Sequence, residues 1–221
     1  VLYEIERANH PVVSRHAPLG GPLKRSFDIV ASFALLLALL PEMLLVALAV
    51  KLTSVGPALF LHRRIGVGGQ EFACIKFRSM VADAAASLPE HLAQNPTACA
   101  EWSAMQKLRS DPRVTPIGRF LRRWSIDELP QLLNVLRGEM SLVGPRPITA
   151  EELHRYGSSC SLYLSARPGI TGLWQVSGRS GVSYVDRVRL DLQYIDSWSP
   201  VLDACLLLKT LTVVATAEGA R

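Results

Sequence analysis

The sequence predicts a mainly helical α+β chain. In it a re-entrant membrane helix-break-helix leads into a body holding a small β-hairpin and interfacial helices. Three observations predict this. Ile29 to Val50 is an apolar run of 22 residues carrying one charge, Glu42. Two short β-rich stretches flank Gly66-Val67-Gly68-Gly69, a hairpin signal. The rest reads as helical patterns cut by Pro and Gly. Composition agrees: of 221 residues 49% are hydrophobic and 19% charged, which excludes a disordered solvating chain. Cys74, Cys99, Cys160 and Cys205 lie far apart and the five His form no H-x-x-x-H pair, which argues against a zinc site and a disulfide scaffold. A net charge of +5 leaves anionic partners open.

Taken in order, residues 1–21 are polar and broken by Pro11, Pro18 and Gly20-Gly21, and read as a flexible segment. The membrane helix is placed at 22–52. As a helix the apolar run is about 33 Å long, enough to cross a bilayer. It starts too late for a signal peptide and lacks a cleavage site, and a buried core helix would be shorter with a polar stripe. Pro41 removes one backbone N–H near the middle and crowds the carbonyl of Leu37. Lys24 and Arg25 precede the run, and Lys51, Arg63 and Arg64 follow it, so the positive-inside bias selects neither end. A helix that enters one leaflet, bends at Pro41 and leaves on the same side satisfies both observations; a straight span is the alternative.

The body is placed at 53–221. Strands are expected at Ala58–Arg64 and Gln70–Phe77, then one or two surface helices over 82–108, interrupted at Asn95-Pro96. An irregular, site-bearing region covers Asp111–Arg179, and closing helices cover Val182–Trp198 and Val201–Ala217, the last with an interfacial character.

Charge is concentrated. Lys107, Arg109, Arg113, Arg119, Arg122 and Arg123 against Asp111 give 6 − 1 = +5 within seventeen residues. The pair Asp127-Glu128 follows at once, and neighbouring guanidiniums favour ionised carboxylates. Ser125-x-x-Glu128 is also a capping-box pattern, so a plain helix start competes with a catalytic reading. Pro130 decides the register: with Asp127 as N-cap the proline falls on a position whose N–H is unneeded, so a helix is expected from about Asp127. Arg146 between Pro145 and Pro147, Arg167 before Pro168-Gly169, and Arg179 after Gly178 place guanidiniums beside stiff or small residues, where backbone can approach a phosphate. Lys76 and Arg78, ending the second strand, add to the same positive funnel. The set suggests an anionic diphosphate substrate at a membrane surface. No Walker loop or aromatic–basic interleaving is present, so nucleic acid is not an expected partner.

The sequence resembles the bacterial sugar transferase family, the monotopic phosphoglycosyl transferases that start exopolysaccharide and O-antigen synthesis. The resemblance rests on Lys24-Arg25-Ser26-Phe27-Asp28, Lys76-Phe77-Arg78-Ser79-Met80, Asp111-Pro112-Arg113-Val114-Thr115, Asp127-Glu128-Leu129-Pro130-Gln131-Leu132, Ser141 to Pro147 and Arg167 to Arg179, in the family's order. Leu40 and Glu42 beside Pro41 depart from it. It implies an active site at the membrane surface, Asp127 as nucleophile toward a UDP-sugar, and Glu128 with Asp127 at a Mg²⁺ ion. Lys76, Arg78, Arg122, Arg146 and Arg179 would be substrate contacts, and Pro41 the helix break. Transfer of hexose 1-phosphate to undecaprenyl phosphate with release of UMP is implied, on the cytoplasmic face of the inner membrane. Galactose is the expected sugar, as in the succinoglycan-type members; glucose, or a non-catalytic scaffold of polysaccharide synthesis, is the alternative. A homodimer is compatible with the sequence.

Overall fold

The computed structural model describes residues 17–105, 108, 110–178 and 182–216. The predicted tail 1–21 therefore lies mostly outside the described residues. The first element, α1, runs from Gly21 to Thr53, against the expected 22–52, and has a mean hydropathy of 2.5 over its most apolar window. Its backbone stays helical through Pro41, so the expected helix-break-helix form is not displayed. Leu23, Phe27, Val30, Phe33, Leu37, Leu40, Leu44, Leu45 and Leu48 are all exposed along it.

Both ends of α1 are tied to the rest of the chain. Near its start Lys24 pairs with Asp203, and the Asp28 carboxylate accepts the Leu142 N–H at 3.0 Å. Arg25 donates to the carbonyls of Val135 and Leu136, the last of a short helix, where a cation is favoured by the dipole. Near its end Val50 is buried with Phe77 and Leu121, with Met43, Val46 and Ala47 packed alongside.

Strands β1 (Leu59–Ile65) and β2 (Glu71–Phe77) form the expected antiparallel hairpin, with Phe60 opposite Lys76 and His62 opposite Cys74. The far edge of β2 is closed by one side chain. Asn134 accepts the Ile75 N–H at 2.9 Å and donates to the Ala73 carbonyl at 2.7 Å, so the edge carries no unpaired row there. Asn134 lies in α5 (Gln131–Arg137). Between them come α2 (Ala84–Gln94), α3 (Pro96–Met105) and α4 (Pro116–Arg123), the first two split at Asn95 as expected.

A second sheet was not expected. Strands β3 (Ser141–Val143) and β4 (Gly169–Thr171) pair in parallel, the connection passing through α6 (Ala150–Leu153) and α7 (Cys160–Leu164). Here the glycines serve chain approach: a Cβ on Gly144 or Gly169 would strike the other's strand. Gly169, expected to let backbone approach a ligand beside Arg167, is here packed on Gly144. The chain closes with α8 (Leu173–Val176), α9 (Tyr184–Asp196) and α10 (Pro200–Thr216). The main core joins β2, α5, β3, α9 and α10 through Phe72, Leu132, Val135, Leu142, Tyr194 and Leu206.

Candidate active site

The acid pair does not begin the helix expected from about Asp127. Ile126–Glu128 is a separate 3₁₀ turn, and α5 starts at Gln131 with Pro130 as its N-cap. The proline, lacking an N–H, sits outside the hydrogen-bonded helix, and the acids are displaced by a turn. Ser125, at φ 55°, enters this turn in the left-handed region, a conformation that non-glycine residues rarely adopt.

This turn puts Asp127 in a pocket of charge. Asp127 is 8% exposed. Burial, then the Glu128 charge, push its carboxyl up to about 6, while Lys76 and Arg122 pull it back. Lys76 Nζ donates to Glu128 Oε1 at 2.6 Å. Burial disfavours the Lys76 charge, yet Glu128 and Asp127 outweigh it and hold the ammonium above the ordinary lysine range.

Arg122 reaches the pair from α4, whose first turn is capped by Thr115 accepting from Gly118 N–H at 3.0 Å. Its Nε donates to Ser79 Oγ at 2.9 Å. The Ser79 carbonyl in turn accepts from Thr115 N–H at 3.1 Å, and a Cβ on Gly118 would collide with that carbonyl. Gly118 is thus what lets α4 lie against the Ser79 loop and aim Arg122.

A second cluster gathers about Arg146. Glu152 pairs with Arg64 at 3.1 Å and with Arg146 at 3.5 Å. The Arg146 and Arg187 guanidiniums lie 5.6 and 5.2 Å from the Trp174 ring centroid, and Arg155 lies 4.3 Å from that of Tyr184. Arg64 and Lys76 are on one face of the hairpin. Their register separates them by four residues, about 13 Å at the strand rise. His62 lies between them and is held down to about 4 by burial, then by Arg64 and Lys76.

The sequence pattern that defines the bacterial sugar transferases matches residues 20–217, nearly all of the chain. The chain belongs to that family. This sugar transferase is 49% identical over 202 residues to the exopolysaccharide production protein ExoY of Rhizobium meliloti, covering 91% of this chain and 89% of the relative. It is 51% identical over 199 residues to the undecaprenyl-phosphate galactose phosphotransferase of Salmonella typhimurium, covering 90% of this chain but 41% of that longer protein. The UDP-glucose:undecaprenyl-phosphate glucose-1-phosphate transferase of Caulobacter vibrioides is 42% identical over 217 residues, covering 91% of this chain and 76% of that one. This sugar transferase is accordingly an enzyme, a phosphoglycosyl transferase.

Of the transferase's expected site residues, Asp127, Glu128, Lys76 and Arg122 come together. Arg146 belongs to the second cluster, and Arg179 lies outside the described residues. Arg78 reaches the residue that caps the end of α1, one guanidinium nitrogen donating to the Ser54 carbonyl at 2.8 Å and to Ser54 Oγ at 2.7 Å. Much of the basic stretch is also spent elsewhere. Arg113 is locked onto Asp111 at 2.6 Å, while Arg119 and Arg123 are exposed. Arg167, expected near phosphate, donates instead to the Gly138 carbonyl at 2.9 Å. Sequence reasoning missed Glu152, Trp174 and Arg187. Glu152 alone carried a local signal, as the third residue of a Thr149 capping box.

Proposed function

We propose that this transferase moves a hexose 1-phosphate, galactose 1-phosphate first among the alternatives, from a UDP-sugar to undecaprenyl phosphate. The observation that carries this reading is a buried carboxylate on a strained turn, Asp127, faced by Lys76, Arg122 and a second acid. An Asp127 oxygen attacks the β-phosphorus, the bond from that phosphorus to the bridging oxygen breaks, and UMP leaves with the electron pair. A phosphate oxygen of the lipid then attacks the same phosphorus, and the aspartyl–phosphorus bond breaks to restore the carboxylate. Lys76 and Arg122 offset charge on the phosphoryl oxygens, and at neutral pH a carboxyl near 6 is mostly ionised.

Mg²⁺ belongs to this reading. Among the described residues no three acidic, His or Cys side chains gather as a metal cage. Two adjacent carboxylates, Asp127 and Glu128, are the hard-oxygen set that this ion takes together with diphosphate oxygens. Glu128 would hold it, and when bound it would neutralise the phosphate oxygens. Detergent-solubilised protein given UDP-galactose and polyprenyl phosphate should release UMP, and without lipid it should give one stoichiometric burst. No UMP from UDP-galactose, UDP-glucose or an N-acetylated UDP-hexose would overturn the reaction; faster release from UDP-glucose would overturn the sugar.

We further place both ends of α1 on the cytoplasmic side of the inner membrane. Asp28 and Val50 are about 33 Å apart along the helix and are packed on one polar body. A helix crossing the bilayer between them would drag that body in with it. With the four native cysteines replaced by Ser, Ala17→Cys and Val55→Cys should both resist a membrane-impermeant thiol reagent in intact cells. Both should react once the membrane is opened. Val55 is 91% exposed, so a negative result there does not arise from burial. Labelling of Ala17→Cys in intact cells would replace this same-side placement by a span.

A further inference from the structure

Four aspartates are buried among the described residues: Asp28, Asp127, Asp191 and Asp203. Asp28 and Asp203 hold α1, and Asp127 sits in the acid pair. Asp191, in α9, is 1% exposed and has no part in the chemistry above. Its two oxygens are both engaged. Oδ1 accepts the Arg146 main-chain N–H at 3.1 Å, and Oδ2 accepts the Tyr156 hydroxyl at 2.7 Å. On the other side of the same residue, the Tyr163 hydroxyl donates to the Arg146 carbonyl at 2.8 Å. The tyrosine rings are themselves packed, with centroids 4.5 Å apart.

The main chain around Arg146 is fixed further still. Pro147 confines it to extended backbone, and Gly169 N–H donates to the Pro145 carbonyl at 2.8 Å. Its guanidinium, by contrast, is held loosely, 3.5 Å from Glu152 and beside Trp174. A side chain with a rigid root and an adaptable tip suits ligand capture. A buried carboxylate is a costly way to accept two hydrogen bonds, and burial does push Asp191 up to about 7 against the pull of Tyr156, Arg146 and Arg187. The core packing alone does not call for that expense.

We propose that Asp191 is a positioning residue: through the Arg146 main chain it fixes the direction in which the Arg146 guanidinium meets the donor diphosphate. The inference rests on the reading of Arg146 as a donor contact. The test is a double-variant cycle on donor binding, using the full 221-residue chain in detergent with Asp127→Asn present so that nothing turns over. UDP-galactose is titrated by calorimetry. Asp191→Asn should raise the Kd about tenfold, the size of one charge-assisted hydrogen bond. In the Arg146→Ala background the same change should alter Kd by less than about twofold. Tyr163→Phe, which releases the other side of Arg146, should behave alike. Asp191→Asn should nonetheless be at least as heat-stable as its parent at pH 7.5, which a merely structural residue would not be.

An equal fold-change in both backgrounds, or none in the parent, would overturn the proposal. If Asp191→Asn does not fold, Tyr156→Phe, which deletes one bond to the carboxylate, must show the same non-additivity or the proposal fails. Arg146→Ala with an unchanged Kd would overturn the donor-contact reading, and the inference with it. UMP release by the unsubstituted chain tests the reaction separately.

Discussion

Around Asp127 two carboxylates meet two cations, Lys76 and Arg122. Around Arg146 four guanidiniums, of Arg64, Arg146, Arg155 and Arg187, meet two carboxylates, Glu152 and Asp191. The first centre is balanced and sits on a strained turn; the second is rich in positive charge and its root is hydrogen-bonded on every side. On the reading proposed above, the difference separates two tasks. A balanced centre keeps a carboxylate buried yet ionisable, as a nucleophile must be. A cationic one holds an anion without reacting with it.

The sharpest way to break this division is Asp127→Asn. Turnover should fall by at least about a thousandfold, while UDP-galactose still binds; retained turnover in a deamidation-checked preparation would move the nucleophile elsewhere. Glu128→Gln should next raise the Mg²⁺ concentration for half-maximal rate by about tenfold or more, and an unchanged titration would place the ion away from this pair. Gly118→Ala should destabilise the fold by about 1–3 kcal/mol, because its methyl meets the Ser79 carbonyl. It should also slow turnover by displacing Arg122, and a normal melting temperature would refute that contact.

The smallest effect concerns pH. Asp191 is raised from 3.8 to about 7, so between those values the folded chain keeps a proton that the unfolded chain has lost. Stability from this group is therefore present below pH 4 and declines as pH climbs toward 7. Asp191→Asn should flatten the fall in melting temperature across that window, and parallel curves for variant and parent would show that Asp191 does not titrate there. Asp127, which titrates in the same direction, is common to both proteins and cancels.

Legibility followed the range of the interactions. The apolar run to Val50, the hairpin around Gly66-Gly69 and the break at Asn95-Pro96 are local signals, and each has its element. The Ser141–Gly169 pairing joins three-residue strands whose partners are 28 positions apart in sequence, too short to show periodicity and too distant to be read. The acid pair was legible as a motif, but its turn was not, since Ser125 carries no mark of a positive φ. The basic stretch misled by sheer density: Arg113 and Asp111 are two apart and satisfy each other, which a charge count cannot see. Asp191 is one acid among several in α9, and only the fold turns it inward.

α1 is moored twice, by Lys24, Arg25 and Asp28 at one end and by Val50 and Ser54 at the other. A body hung from one flexible linker can swivel and tilt freely. Two moorings some 30 Å apart along a stiff rod remove both rotations and leave only roll about the rod. The orientation of the Asp127 turn is then inherited from the helix, so anything that rotates α1 rotates the chemistry with it.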